Sequence, residues 1–450
     1  MSISIIDNLI AIKTTIFFIK RTLNVSIQQK IKYCISCGSP LCGDIVMIGE
    51  QYPSAVFLSE NTPEPKDFQT SSLNLTRCGN PKCSLIQLSQ IYNLQYVFDH
   101  YPYESGITAN MKKILQEVLD DAQKICPLGS DDVVLDIGGN DGTLLSLIDK
   151  PVKARVNIDA AAGVVQTVSA PDYHHIHAHF DAETYHKLGL PNPKLITSVA
   201  MFYHLSDPLK FVKDISNIMD DKTVWILQMT YVGTMLRDNI VDNIVHEHVA
   251  YYSLHSLEYL LTSVGLHIAE AKQVDSYGGS LRVFIVKNPN TYPSKYFRND
   301  YPGIVEFEKN NNTNTYEELY AFNSRVQLLK HTLKELVNHI SLKYGPLWAF
   351  GASTKGNMIL QLIDVDVNEI PCILDNSKKK IGTKTTGTFI PIVDEVTYLP
   401  NLPEYLLVLP YYYKETFVKI IKKSLPHGKT VNLLIPLPYP HYITVESGEE

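Results

Sequence analysis

Apolar residues recur along the chain in two patterns, short continuous runs and three- or four-residue steps. Val133, Val134, Leu135 and Ile137 form a run of the kind found in strands buried on both faces of a parallel sheet. Steps of three and four over 107–126 predict an amphipathic helix. Further strands are predicted at 154–158, 175–180, 194–199 and 224–229, followed by a helix at 257–264 and a strand pair over 269–286. This alternation predicts an α/β fold with a central Rossmann-like sheet.

A second alternation of strands and helices begins at residue 347. A long helix over 316–344 precedes it, and strands are predicted at 347–350, 370–374, 405–409 and 431–435, the last near the end of the unit. Helices at 357–362 and 414–423 complete a second Rossmann-like α/β domain over 315–440. The polar segment 288–314, rich in Asn and Pro, is predicted to be a linker or surface excursion.

Length and composition limit the class of protein. A chain of 450 residues with 45% hydrophobic and 19% charged residues is typical of a soluble globular protein of two or three domains. The net charge of −7, without a long basic run, argues against nucleic acid as a partner. Lys13, Lys20 and Arg21 interrupt the apolar segment 5–23, so we expect an N-terminal helix there, no membrane association, and a cytoplasmic location. We expect a monomer or a weak homo-oligomer.

Five of the seven cysteines lie between residues 34 and 83. Clustered cysteines in a reducing compartment indicate metal ligands before disulfides. Cys34 and Cys37 form a C-x2-C pair, and Cys78 and Cys83 form a second pair on a Gly- and Pro-containing turn. These four are the predicted ligands of a closed structural zinc site in a module over 30–92, with Cys42 as an alternative ligand. Buried cysteines without a metal are the alternative.

The predicted strand at 133–137 leads into Gly138-Gly139-Asn140-Asp141-Gly142, and helical spacing resumes at Leu144. A strand, a glycine loop and a helix N-terminus form a nucleotide-type site at the carboxyl edge of a parallel sheet. The spacing is neither G-x-G-x-x-G nor a Walker A. Asp136 and Asp141 would repel a pyrophosphate, and they suit a cofactor with a ribose and a cationic group. This favours S-adenosylmethionine (SAM), with an ordinary strand-to-helix turn as the alternative.

Other chemically active residues follow the predicted strands. Asp159 ends the second strand, where an acid can bind ribose hydroxyls, and Asp181 follows the third, on the expected adenine side. His204 lies just beyond the fourth strand, placed for proton chemistry unless it is a structural histidine. The segment 242–253 contains His246-Glu247-His248, which is not a zincin motif, and in which Glu247 can orient or tune a histidine.

Three further segments carry candidate substrate contacts. The tyrosine-rich loop 93–106 presents Tyr101 and Tyr103 on either side of a proline, although these side chains can equally serve in packing. Tyr277-Gly278-Gly279 interrupts the strand pair, and its glycines let the backbone approach a ligand. In the C-terminal unit, the turn at 351–356 with Lys355 can hold a phosphate or carbonyl, and Asp375 ends the next strand.

The order of the cysteine module, the YPYESG loop, the glycine loop, the HEH segment, the Tyr-Gly-Gly turn and the C-terminal unit resembles a known family. These are the three-domain sugar C-methyltransferases that act on nucleotide-linked 4-keto-deoxysugars, and the resemblance covers roughly residues 30–440. It implies a zinc-binding N-terminal module, a SAM-dependent methyltransferase domain, here 93–290, and a C-terminal domain, with a nucleotide-sugar substrate between them.

The resemblance also implies roles for individual residues. The loop 138–142 and Asp159 would hold SAM, Tyr101 would close the pocket, and Lys355 would lie near the sugar nucleotide. His248, oriented by Glu247, would remove the proton beside the ketone, and His204 would hydrogen-bond the developing enolate oxygen. The resulting carbanion would then attack the SAM methyl group.

The chain departs from this family at three places near the substrate. Val245 replaces a common tyrosine, Tyr277 replaces a common histidine, and Tyr411-Tyr412 replace a common Trp-Asn pair. These departures affect the expected substrate and proton relay, and leave the SAM site intact. The alternatives are a SAM-dependent O- or N-methyltransferase of another small molecule and a non-catalytic zinc-containing binding protein.

Overall fold

The computed structural model describes residues 28–59, 69–92, 105–107, 109–161, 164–292 and 300–447. The expected N-terminal helix at 5–23 and the expected loop residues Tyr101 and Tyr103 lie outside these ranges. Among the residues described, no helix combines the length and apolar character needed to cross a bilayer.

The N-terminal segment consists of short antiparallel strands. They are β1 Gln28–Lys30, β2 Leu41–Val46, β3 Glu50–Gln51, β4 Phe57–Ser59, β5 Ser71–Ser72, β6 Leu75–Cys78, β7 Ile86–Leu88 and β8 Gln90–Tyr92. β2, β6 and β7 form one sheet, which Ala250–Tyr251 from the HEH segment completes as a fourth strand. The N-terminal segment is therefore joined to the HEH segment through a backbone ladder.

The central sheet has seven strands in the order β11-β10-β9-β12-β13-β16-β15. Their ranges are β9 Val133–Ile137, β10 Ala154–Asp159, β11 Tyr173–His177, β12 Leu195–Val199, β13 Val224–Thr230, β15 His267–Val274 and β16 Ser280–Val286. The strand Ala250–Tyr251 of the N-terminal sheet is β14. β9 to β13 are parallel, and β16 joins antiparallel. β11 begins and ends earlier than the expected 175–180, and Asp181 caps the helix that follows it.

Helices cover both faces of this sheet. They are α1 Ala109–Ile125, α2 Thr143–Ser146, α3 Ala182–His186, α4 Pro208–Ile218, α5 Val232–Arg237 and α6 Leu254–Thr262. The apolar side of α1 packs with Val134, whereas α4 and α6 pack with Leu135 on the opposite face. Successive side chains of β9 point to opposite faces of the sheet, so neighbouring residues of this strand contact different helices.

The polar segment 288–314 contains a helix, α7 Tyr301–Asn310, where a linker was expected. Only Ile304 and Glu308 of α7 are buried, so its sequence resembles a loop. Glu308 accepts hydrogen bonds from the Tyr231 hydroxyl at 2.8 Å and from the Leu254 amide at 2.5 Å. A buried carboxylate that bonds to the start of α6 holds this helix in place, and local sequence patterns do not reveal that contact.

The C-terminal unit is a second, smaller α/β layer. Its elements are α8 Tyr316–Tyr344, β17 Trp348–Phe350, α9 Thr354–Leu362, β18 Ile373–Asp375, β19 Thr383–Thr385, β20 Ile392–Asp394, α10 Glu395–Tyr398, β21 Tyr405–Val408, α11 Lys414–Ser424, β22 Thr430–Ile435 and β23 His441–Glu446. The sheet order is β20-β18-β17-β21-β22-β23. The edge strand β23 was not predicted, and it extends the sheet past residue 440.

Candidate active site and metal centre

The glycine loop after β9 has a backbone that larger residues would disturb. Gly138 and Gly142 have φ values of 70° and 79°, in the left-handed region that favours glycine. A Cβ atom at Gly139 would lie 2.5 Å from Asp136 Oδ2 and 2.6 Å from Asn157 Oδ1. The loop therefore requires glycine for close packing on the strand ends beneath it.

Asp159 at the end of β10 fixes this loop from the neighbouring strand. Its carboxylate accepts the Asn140 amide at 2.7 Å and the Ala161 amide at 2.6 Å. The two bonds fix the orientation of a half-buried carboxylate at the carboxyl edge of the sheet, where an acid can bind ribose hydroxyls. The chemistry of this donor and acceptor set fits the predicted SAM site.

The side chains of Asn140 and Asp141, two residues of the predicted cofactor loop, are hydrogen-bonded to the turn at 105–107. Asn140 Oδ1 accepts the Ser105 amide at 3.0 Å, and Asp141 Oδ2 accepts the Gly106 amide at 2.8 Å. The other carboxylate oxygen of Asp141 accepts the Thr143 hydroxyl at 2.6 Å, and the residue is 3% exposed. Both side chains thus attach the turn at 105–107 to the glycine loop, a long-range contact that the sequence did not predict.

The other two predicted acids are also engaged by the protein. Asp136 is buried beneath the loop and accepts the Thr197 hydroxyl at 2.7 Å, and burial raises its pKa to about 7. Asp181 caps α3, because its carboxylate accepts the Thr184 amide at 2.7 Å. A helix start accounts for Asp181 without a ligand, so its expected adenine contact has no support from this geometry.

His204 and His248 lie together beyond the end of β12. Their rings are nearly parallel, with centroids 5.5 Å apart and planes 23° apart. The Tyr203 ring contacts both edge-on, and the Val249 amide donates to the Tyr203 carbonyl at 2.8 Å. Burial lowers the pKa of His204 to about 3. The fold therefore brings two neutral imidazoles from distant segments to one place.

The backbone, rather than Glu247, orients His248. His248 Nδ1 lies 2.7 Å from the Asn243 carbonyl oxygen, and a carbonyl only accepts, so Nδ1 carries the proton. This leaves the Nε2 lone pair as the basic position. Burial, together with the nearby His204 and Lys355, lowers the pKa of His248 well below its ordinary value.

Glu247 is buried at 3% exposure, and its Oε2 atom has no hydrogen-bond partner among the described residues. Burial raises the pKa of this carboxyl to about 7. The orienting role expected for Glu247 thus belongs to Asn243. The first histidine of the triplet, His246, is turned away to donate from Nε2 to the Gln51 carbonyl at 3.0 Å.

Lys355 of the C-terminal unit lies near His248. Its ammonium group donates to the Tyr277 carbonyl at 3.3 Å and lies 5.5 Å from the centre of the Tyr412 ring. Tyr277 and Gly278 both have positive φ, and the Tyr277 hydroxyl contacts Met111 Sδ at 3.0 Å. Asp375 accepts the Ala352 amide at 2.8 Å and so holds the turn before Lys355, rather than presenting a free carboxylate.

The predicted cysteine ligands come together as one cluster. The sulfur atoms of Cys34, Cys37, Cys78 and Cys83 all lie within 4.8 Å of one another. The Cys34–Cys83 and Cys37–Cys78 sulfur distances are 3.8 Å and 3.4 Å. Zn–S bonds of about 2.3 Å in a tetrahedron require sulfur atoms about 3.8 Å apart. Cys42 is exposed and contacts the Tyr316 hydroxyl at 2.7 Å instead.

Asp242 and Asn243 lie in this site, although the sequence predicted no role for either of them, and Tyr411 was predicted only as a position where the chain departs from the family. Asp242 and Asn243 are both at most 1% exposed, although they are polar. A signal was present, because Asp242-Asn243 stands between Ile240-Val241 and Ile244-Val245, and polar residues inside an apolar run are informative.

Two models of known protein families match consecutive parts of the chain. Residues 107–271 match the family described as a methyltransferase domain, and residues 275–438 match the family described as a C-methyltransferase C-terminal domain. The chain is therefore a SAM-dependent methyltransferase that carries a C-methyltransferase C-terminal domain. It is similar to the C-methyltransferase NovU of Streptomyces niveus, with 25% identity over 426 residues, which cover 94% of this chain and 99% of NovU.

Two of the solved structures that resemble this chain each cover about two fifths of it. One is the putative methyltransferase bound to the Trm112 activator of Haloferax volcanii, with 14% identity, a TM-score of 0.32, and coverage of 40% of this chain and 94% of that one. Another is a putative SAM-dependent methyltransferase of Listeria monocytogenes, with 10% identity, a TM-score of 0.30, and coverage of 38% and 97%. Similarity at this level carries no functional conclusion.

Proposed function

We propose that this SAM-dependent C-methyltransferase removes a proton from the carbon next to the ketone of a nucleotide-linked keto-deoxysugar and methylates that carbon. The observation that carries the proposal is the state of His248. It is buried, neutral and protonated on Nδ1, so Nε2 is available as a base. Methyl transfer to a hydroxyl or amine does not require a carbon-acid base of this kind.

Three groups support the deprotonation step. His248 Nε2 would accept the proton, and the adjacent neutral His204 would donate a hydrogen bond to the ketone oxygen as negative charge develops. Lys355 adds a positive charge on the same side, and this charge suits the phosphates of a nucleotide or the developing enolate. Bound SAM supplies the electrophilic methyl group, and the glycine loop and Asp159 would hold it.

The experiment that tests this proposal is hydrogen exchange without SAM. The protein is incubated in D2O with a 4-keto sugar nucleotide, and deuterium incorporation beside the ketone is followed by mass spectrometry. We expect exchange with the wild type, none with His248→Asn, and normal exchange with the exposed His255→Asn control. Undiminished exchange in His248→Asn would remove His248 as the base. No exchange in a wild type that binds SAM would favour O- or N-methylation of another substrate.

We also propose that Cys34, Cys37, Cys78 and Cys83 hold one structural zinc ion. Four thiolates leave no open coordination position, so such an ion would stabilise the N-terminal segment and take no part in methyl transfer. The sulfur distances support this assignment, and so does the position of Cys42, which lies outside the cluster and contacts Tyr316.

A further inference from the structure

A short turn lies between His248 and the C-terminal unit. Residues Val241–Asn243 form a 3₁₀ turn that is closed by the Ile244 amide donating to the Val241 carbonyl at 2.9 Å. The Asn243 carbonyl points to His248 Nδ1 at 2.7 Å. The side chain of the preceding residue, Asp242, faces the C-terminal unit. Adjacent residues of one buried turn thus contact the base and the other domain.

The contact from the C-terminal unit comes from Tyr411. Its hydroxyl donates to Asp242 Oδ1 at 3.3 Å, and both residues are buried. The second oxygen of Asp242 has no hydrogen-bond partner within the described ranges. The Tyr411 hydroxyl therefore donates to one oxygen of this buried carboxylate, and the nearby Lys355 acts on it electrostatically. Removing the hydroxyl would take away the side-chain donor to Asp242 Oδ1.

Tyr411 stands where the chain departs from the family pattern, and its neighbours make other contacts. The Tyr412 ring lies beneath the Lys355 ammonium at 5.5 Å. The Tyr413 hydroxyl accepts a hydrogen bond from Asn110 Nδ2 at 3.0 Å, at an exposed point on α1. Tyr411 and Tyr413 each place one hydroxyl against the methyltransferase part, but only Tyr411 reaches the turn that contacts His248.

We propose that Tyr411 and Asp242 are positioning residues that hold the Val241–Asn243 turn in place. The Asn243 carbonyl of this turn then keeps the His248 ring in its Nδ1–H tautomer. The inference rests on the proposed role of His248 as the base. The C-terminal unit then contributes to the site in two ways. It supplies Lys355, and it fixes the Asn243 carbonyl, which holds the proton of His248 on Nδ1 and so leaves Nε2 unprotonated. A looser turn would let the ring rotate or adopt the Nε2–H tautomer, which has no lone pair at the reacting position.

The test uses two matched variants, Tyr411→Phe and Tyr413→Phe, which each remove one hydroxyl that crosses between the same parts of the chain. A bond of 3.3 Å is long for a hydroxyl donating to oxygen, so its loss is expected to slow exchange by about two- to five-fold. We expect Tyr411→Phe to lower the maximal rate of exchange in D2O without changing the apparent KM for the sugar nucleotide. Tyr413→Phe should match the wild type.

A second readout follows the imidazole directly. In protein labelled with 15N-histidine, the His248 signals are identified by their loss in His248→Asn. The wild type should show Nδ1 protonated, and Tyr411→Phe should show a new fraction of the Nε2–H tautomer. Asp242→Asn, combined with Tyr411→Phe, should slow exchange no more than the slower single variant, because both act through one contact.

The outcomes separate this inference from the proposed function. If His248→Asn still exchanges, the base assignment fails and the positioning role fails with it. If His248→Asn is inactive while Tyr411→Phe equals Tyr413→Phe in both rate and tautomer, the base stands and the positioning role is overturned.

Discussion

The buried acid in the HEH segment shows how environment sets the chemistry of a single residue. Glu247 is 3% exposed and has one carboxylate oxygen without a hydrogen-bond partner. Burial therefore disfavours its charged form, and raises its pKa from 4.5 to about 7. The folded protein holds this group neutral over a pH range in which the unfolded chain ionises it.

This difference predicts a pH-dependent loss of stability. Below about pH 4.5 both states are protonated, and the carboxyl adds no pH dependence. As the pH rises to about 7 only the unfolded state loses the proton, so the folded state loses on the order of 3 kcal/mol relative to low pH. Glu247→Gln should lack this loss. Urea unfolding of both proteins at several pH values measures the difference, and parallel stability curves would contradict it.

The pairing of His248 with the Asn243 carbonyl is also a residue-scale result. A run of His, Glu and His indicates acid–base chemistry, but it does not say which group contacts which nitrogen. Because the three side chains point to different parts of the molecule, only one histidine is left beside His204. The sequence therefore predicts acid–base chemistry in this segment, whereas the pairing of His248 with the Asn243 carbonyl depends on the folded backbone.

At the scale of elements, we expect the stability of the N-terminal β-strands to depend on the four clustered cysteines. β2, β6 and β7 are short, and strands of a few residues have little stability of their own. Cys34 and Cys37 lie at the turn before β2, and Cys78 and Cys83 lie at the turn between β6 and β7. A metal ion would link these residues, which are distant in the chain. The predicted ligand spacing was recognisable because each cysteine pair sits on a local turn.

We expect Cys78→Ser to lose zinc and Cys42→Ser to retain it. Serine removes one thiolate from the four-sulfur cluster in the first variant, whereas Cys42 lies outside that cluster and hydrogen-bonds with the Tyr316 hydroxyl. Elemental analysis of purified protein should give one zinc ion per chain for the wild type and Cys42→Ser. Since structural zinc contributes folding free energy, Cys78→Ser should also melt at a lower temperature. Equal zinc content in the two variants would exclude the proposed ligand set.

At the scale of the whole molecule, the segment 51–57 joins the three parts of the chain. The Gln51 carbonyl accepts from His246, and the Ser54 carbonyl accepts from Asn357 Nδ2 at 3.1 Å. Thr386 donates to the Val56 carbonyl at 2.6 Å, and Phe57 pairs with Thr385 in a two-stranded sheet. The backbone of this segment is thus hydrogen-bonded to both α/β units.

Asn357→Ala is predicted to destabilise the protein by about 1–3 kcal/mol, because it leaves the buried Ser54 carbonyl without its donor. Asn376→Ala is the control, since Asn376 is exposed and bonds to Glu395 at 3.3 Å. A change within about 0.5 kcal/mol is expected there. Urea unfolding measures both, and equal stabilities would show that the segment is not held through this contact.

The sequence by itself determined the local features of this protein. The buried runs, the glycine loop, the amphipathic helix at 109–125 and the cysteine pairs each depend on neighbouring residues, whose periodicity or turn chemistry specifies them. Tertiary structure alone decided contacts that join distant segments. Examples are Asp141 with Gly106, His248 with the Asn243 carbonyl, α7 held by Glu308, and Tyr411 with Asp242. No local pattern encodes such contacts, because the energy of a buried polar group depends on partners that only folding brings within hydrogen-bonding distance.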